Sequence, residues 1–198
     1  MLYAGPLVNK VLKILLYSDV LIISGFGLMA PIFAIFIDRQ IIGGSIMAVG
    51  IAEAVYLLTR SAFQILISKY TDEEKGNVRE MYTLIIGSFL FSIVPIIYIF
   101  STEIWHIYLA QFLNGLGAAI SYPGWQVLFT RYLDKNKEGY EWSVYDTTVG
   151  LGTAATAAIG GYVAEMFGFN ALFVIVAILS FLGTILLGSL FKEELTKK

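Results

Sequence analysis

Residues 81–100 read MYTLIIGSFLFSIVPIIYIF, a run without one charged side chain. As an α-helix rising 1.5 Å per residue, such a run spans about 30 Å, the thickness of a bilayer's hydrocarbon core. The pattern continues on both sides. Apolar stretches also cover 11–37, 43–68, 104–130, 144–166 and 169–191, with the charges gathered into short polar islands between them. The chain is 58% hydrophobic and only 14% charged, and its mean hydropathy is +0.77. Soluble domains carry about 25% charged residues. The expected fold is therefore an all-α integral membrane domain over residues 1–198, with six transmembrane helices and no separate soluble domain.

Several function classes drop out early. The chain has no cysteine, which excludes disulfides and thiolate metal ligands. No metal site or bound cofactor is expected. A formal charge of −2 gives no reason to expect nucleic acid as a partner. The start, Met1 to Pro6, lacks the charged region and cleavage site of a removable signal peptide. A phosphate-binding Gly-x-x-x-x-Gly-Lys-Ser/Thr loop is absent, so ATP use is not expected. The single histidine, His106, sits beside a predicted interface without a serine or acid arrangement for catalysis. The chain is not read as an enzyme.

Loops that retain lysine and arginine normally face the cytoplasm. Lys10, Lys13, Lys69, Lys75, Arg79, Arg131, Lys135, Lys137, Lys192, Lys197 and Lys198 all fall on one side of the predicted topology; only Arg39 falls on the other, and Arg60 lies within a helix. Both termini are expected in the cytoplasm, with the protein in the cell membrane.

The helices differ in character. Those at 81–100 and 169–191 are dense in Leu, Ile, Val and Phe and are expected to face lipid. The stretch 144–166 is the reverse: Gly152, Thr156, Gly160 and Ala164 recur every four residues, a small-residue stripe that lets two helix backbones meet closely. The neighbour is either a helix of the same chain or one of a second subunit.

Ionisable groups in a membrane helix cost about 2.5 to 3.5 kcal/mol on insertion scales and call for an explanation. Glu53 lies near mid-depth, about 15 Å from Gly43 at the helical rise. It is either a proton carrier or a neutral acid hydrogen-bonded across a helix interface. Arg60 follows seven residues later on nearly the same face. Asp19 reaches a similar depth from the first helix, so an Asp19 to Arg60 ion pair is expected, the alternative being that both reach headgroup or water. Between 104 and 130, Gln111, Asn114, Ser121, Tyr122, Trp125 and Gln126 supply amide, hydroxyl and aromatic groups. Such a set suits an uncharged, hydroxyl-rich solute; the competing reading makes these residues interhelical glue and interface anchors.

Gly25-Phe-Gly27 before Pro31, and Gly115-Leu-Gly117 before Pro123, hint at duplication. Three further stretches carry a resemblance. Ser68-Lys-Tyr-Thr-Asp72 with Lys75, Gly76 and Arg79 behind it resembles the Gly-x-x-x-Asp loop of the major facilitator superfamily, with Ser68 in place of glycine. Gln111-Phe-Leu-Asn-Gly115-Leu-Gly117 resembles that family's helix 4 motif, with Gln111 where arginine would stand. Gly152 to Gly161 is similar to its helix 5 motif, with Thr156 and Ala157 replacing the central Gly-Pro.

The resemblance implies a half-sized member: two inverted three-helix repeats, about 10–100 and 103–192, completed by a second copy as a homodimer. By the same resemblance the stripe at Gly152, Thr156, Gly160 and Ala164 forms the dimer interface, and Asp72, Arg79 and Arg131 form a cytoplasmic gate. The expected function is secondary active transport of a small polar, sugar-like solute by alternating access. Glu53, Asp19 and Arg60 would couple it to protons, and Gln111, Asn114, Tyr122, Trp125 and Gln126 would hold the solute. The alternatives are a lipophilic-cation or drug exporter and a non-transporting membrane assembly protein.

Overall fold

The computed structural model describes residues 9–72 and 77–195. Lys75, Gly76, Met1 to Pro6, Lys197 and Lys198 lie outside them, as does the side chain of Lys192. The described residues form six helices: α1 (Lys10–Met29), α2 (Phe33–Gln40), α3 (Ile46–Asp72), α4 (Val78–Phe100), α5 (Ile104–Tyr132) and α6 (Glu138–Leu195).

The boundaries have local causes. Asn9 caps α1, its Oδ1 accepting from the Val11 amide at 2.9 Å. Pro31 lacks the amide hydrogen and crowds the preceding turn, so α1 stops at Met29 and the expected single helix over 11–37 becomes α1 and the eight-residue α2. Pro95 and Pro123, by contrast, sit inside α4 and α5 without ending them. At the start of α5, Glu103 and His106 form a reciprocal capping box. That contact gives the lone histidine a structural role.

α6 contains the reversal that the sequence placed between two helices. Gly168 adopts φ 82° and ψ 165°, a region open essentially to glycine alone. Contacts along α1 show what the break does. Asp19, Ser24 and Leu28 of α1 meet Tyr145, Gly152 and Gly160 in order, so the first arm of α6 runs parallel to α1. Ser18 and Gly25 meet Gly183 and Leu179, so the second arm runs antiparallel. The chain folds back on itself at Gly168.

A Cβ at Gly160 would collide with the Leu28 carbonyl oxygen, and one at Gly152 would lie 2.5 Å from Ser24 Oγ. The stripe of Gly152, Thr156 and Gly160 therefore packs on α1 of its own chain, which corrects its expected place at a dimer interface; Ala164 packs against the apolar core nearby. Gly115 likewise brings α5 onto α3, where its Cβ would come 2.5 Å from Tyr56 O. α4 lies antiparallel to both α5 and the second arm of α6: Gly87 meets Ser121 while Tyr98 bonds Gln111, and Phe89 meets Phe181 while Tyr98 meets Phe173.

By length and composition, four helices among the described residues can cross a membrane: α1, α3, α4 and α6. The outward positions of α4 and of the second arm of α6 are apolar and exposed, among them Ile86, Phe89, Ile178 and Ile185. Their inward sides share a buried hydroxyl pair, Ser92 and Thr184, 3.1 Å apart. Asn9, Met81, Tyr132 and Leu190 gather at one end of the bundle. At the other end Ile42 and Thr102 join two loops through backbone hydrogen bonds, Ile42 N–H to Thr102 O at 2.8 Å and Ile104 N–H to Ile42 O at 3.0 Å. Each end has its own aromatic core. Phe36, Tyr98, Phe169 and Phe173 pack at the second, and Trp125, Phe129, Trp142 and Tyr145 towards the first.

Candidate functional site

Between the two aromatic cores lies a cavity of about 320 Å³. Every helix except α2 contributes to its wall. α1 supplies Asp19 and Phe26, α3 supplies Tyr56 and Arg60, α4 supplies Ser88, α5 supplies Asn114, Tyr122 and Trp125, and the first arm of α6 supplies Tyr145. The helices meet closely enough to build this wall because glycine stands at the crossings, Gly115 against α3 and Gly152 against α1.

Asp19 is only 9% exposed, and its Oδ2 accepts from the Tyr145 hydroxyl at 2.9 Å. The expected Asp19 to Arg60 ion pair is not formed. Arg60 instead donates from Nε to Gln64 Oε1 at 3.1 Å and from Nη1 to the Tyr56 hydroxyl at 3.4 Å, and its guanidinium lies 4.9 Å from the centre of the Tyr122 ring. Both charges reach one cavity, but α1 and α3 do not pack closely on each other, and phenols on three different helices engage the two side chains. Two more wall groups are buried without a hydrogen-bond partner: the indole N–H of Trp125 and Oδ1 of Asn114. Groups of this kind are normally satisfied in a folded interior.

Of the five residues expected to hold a solute, Asn114, Tyr122 and Trp125 line the cavity. Gln111 stands behind it, its Oε1 accepting from Asn114 Nδ2 at 3.1 Å and from the Tyr98 hydroxyl at 3.2 Å. Gln126 is exposed and is not part of the wall. Glu53 is also not part of the wall. It lies one turn beyond Tyr56 on an exposed face of α3 and has no hydrogen-bond or ion-pair partner among the described residues. The sequence reading missed Tyr56, Ser88 and Tyr145. The spacing of 56 and 60 on one face of α3 was available as a signal; nothing local marked Ser88 or Tyr145.

The charged cluster at the basic end is built differently from expectation. Arg131 bonds Glu80, Nη2 to Oε1 at 3.0 Å, and also donates to Asn77. Asn77 in turn donates to the Tyr132 hydroxyl at 2.7 Å. Arg79 donates to the Tyr70 carbonyl at 3.0 Å and lies over the Tyr70 ring. Asp72 is exposed and takes no part in the Arg131 cluster. The pair therefore braces α4 against α5 within one chain, and its acid is Glu80, buried to 2% exposure, which the sequence reading had left among the charges of a polar island.

Long apolar helices joined at glycine crossings thus wall a mostly apolar cavity that holds one acid and one arginine. The profile of the Major Facilitator Superfamily matches residues 17–198. The chain belongs to that superfamily. It is similar to the multi-drug resistance efflux pump PmrA of Streptococcus pneumoniae, 29% identical over 189 residues, which cover 92% of this chain and 45% of that protein. It is also similar to an uncharacterized MFS-type transporter of Methanocaldococcus jannaschii, 22% identical over 162 residues, or 82% of this chain and 40% of the relative. The chain spans less than half the length of the curated relatives it matches. Major facilitator membership makes it a multi-pass membrane protein, in agreement with the four candidate spans.

Proposed function

We propose that this chain is one half of a secondary transporter that moves an amphipathic organic solute by alternating access, with Asp19 as the proton-coupling acid. One observation carries the reading: a buried carboxylate stands beside aromatic rings and an arginine in a cavity walled by five helices. Ionisable groups inside membrane helices mark solute and proton paths by default. Phe26, Tyr122, Trp125 and Tyr145 give the wall a largely aromatic surface, which suits an amphipathic solute better than a sugar. The efflux pump among the relatives agrees with export of such a molecule.

In this reading α6 crosses the bilayer twice about Gly168, and α5 crosses despite its polar residues because all of them in its middle but Gln126 face the cavity or neighbouring helices. The three-helix units 10–100 and 103–192 are the inverted repeats, and the basic end with both termini faces the cytoplasm. The second half is another copy. α3 presents Met47, Leu57, Leu58 and Leu66 outward, and the first arm of α6 presents a second line of small residues, Gly150, Ala154 and Ala158. A two-fold dimer places α3 of one protomer against that line on its partner.

Two experiments test this. In proteoliposomes, solute-driven proton movement is expected with the native protein and is lost in Asp19→Asn. Retention of coupling in a folded Asp19→Asn protein overturns the assignment of the acid. The absence of native cysteine makes crosslinking clean. The double variant Leu58→Cys, Ala158→Cys is expected to form intermolecular disulfides under mild oxidation, with neither single variant doing so to the same extent. A protein that stays uncrosslinked and monomeric in the membrane overturns the dimer.

A further inference from the structure

The cavity holds two opposite charges that do not neutralise each other. Asp19 is engaged by Tyr145 on one wall, and Arg60 by Tyr56, Gln64 and the face of Tyr122 on another. An ion pair inside a low-dielectric space would be expected to close if the side chains were free to meet. They stand on α1 and α3, which do not pack closely on each other, and both lie on the wall of the same space.

Resting on the transport reading above, we infer that the solute is a zwitterion with an aromatic or other apolar body, bound with its ammonium at Asp19 and its carboxylate at Arg60. A carboxylate and a guanidinium each make strong, charge-assisted hydrogen bonds, and guanidinium matches carboxylate with two parallel donors. A simple cation satisfies Asp19 but leaves Arg60 as an unmatched like charge. A simple anion does the reverse. A sugar leaves both charges unanswered in a largely apolar enclosure, where an unpaired charge is costly. A zwitterion answers both and brings no net charge into the membrane interior.

The remaining wall groups fit such a molecule. Asn114 and Ser88 add an amide and a hydroxyl to the lining. Phe26 and Tyr122 provide apolar surface for the body. The cavity stands near the lower end of the roughly 300 to 1,000 Å³ typical of small-molecule sites, which fits a single aromatic amino acid or a dipeptide.

The test compares probes that share a phenyl body and differ in charge: L-phenylalanine, the dipeptide L-phenylalanyl-L-alanine, phenethylamine and 3-phenylpropionate. Uptake of each is measured in proteoliposomes with the native protein, Asp19→Asn and Arg60→Gln. One or both zwitterions are expected to be preferred over the amine and the acid by about tenfold or more, the factor one charge-assisted hydrogen bond supplies. Arg60→Gln is expected to erase the preference over the amine while sparing amine uptake, and Asp19→Asn to erase the preference over the acid. Equal or better transport of phenethylamine by the native protein overturns this inference and leaves the transport reading standing. Failure of folded, dimeric protein to move any of the four overturns the inference for this body size and removes the support it draws from the transport reading. If a variant does not fold, the native ranking decides by itself.

Discussion

α1 and α3 are both apolar helices with charge in their middle, yet they occupy opposite situations. Of α1's apolar stretch 67% is buried inside the chain, against 17% for α3. α1 is wrapped by both arms of α6, and its Asp19 is enclosed. α3 meets the bundle along a narrower seam at Gly115, and its Glu53 is left exposed. The difference teaches that depth along a helix does not decide whether an acid is enclosed. The azimuth does, because only one face of α3 is covered by this chain.

The sharpest way to break the comparison is to neutralise each acid. Asp19→Asn is expected to reduce solute-driven proton flux to the background of empty liposomes, measured with a pH-sensitive dye. Next in size is the packing of α1. Gly160→Ala drives a methyl into the Leu28 backbone and is expected to cost about 2 to 3 kcal/mol. Gly161, its neighbour, has open space around it, so Gly161→Ala is expected to be neutral or to gain up to about 1 kcal/mol from helix propensity. Thermal unfolding in detergent reads both. A pair of equal effects would mean that the α1 seam is not where the backbones meet.

Tyr145→Phe removes the hydroxyl that engages Asp19 and is expected to weaken solute affinity about tenfold, with little change in folding. The smallest effect belongs to α3's acid. Glu53→Gln is expected to leave solute-driven proton flux largely unchanged, because Glu53 is not part of the cavity wall. A collapse of flux in Glu53→Gln with Asp19→Asn active would reverse the roles assigned to the two helices.

The helices themselves were legible in the sequence because a membrane demands long apolar runs, and the reversal at Gly168 was legible as a gap between two of them. The stop at Pro31 was less so, since proline passes unbroken through α4 and α5. Its effect depends on whether neighbouring groups take up the freed carbonyl. In the site, Asp19, Arg60, Asn114, Tyr122 and Trp125 were marked by being polar where lipid would forbid it. Tyr145 was not, because a tyrosine near a helix end has the same look as an interface anchor. Which of two stripes on the first arm of α6 meets α1 could not be read from small residues alone: Gly152 and Gly160 share their arm with Gly150, Ala154 and Ala158, and only the register against α1 separates them. The Glu80 to Arg131 brace joins positions 51 residues apart, with no local signature.

The backbone bonds between Ile42, Thr102 and Ile104 have a mechanical consequence. They knot the loop after α2 to the loop after α4, at the end opposite the Glu80 to Arg131 brace of α4 and α5. With a clasp at each end, the transport cycle proposed above has this chain turn as one solid piece. The hinge then has to lie where this chain meets its second half, and the work of opening one side is the work of sliding two stiff blocks past each other.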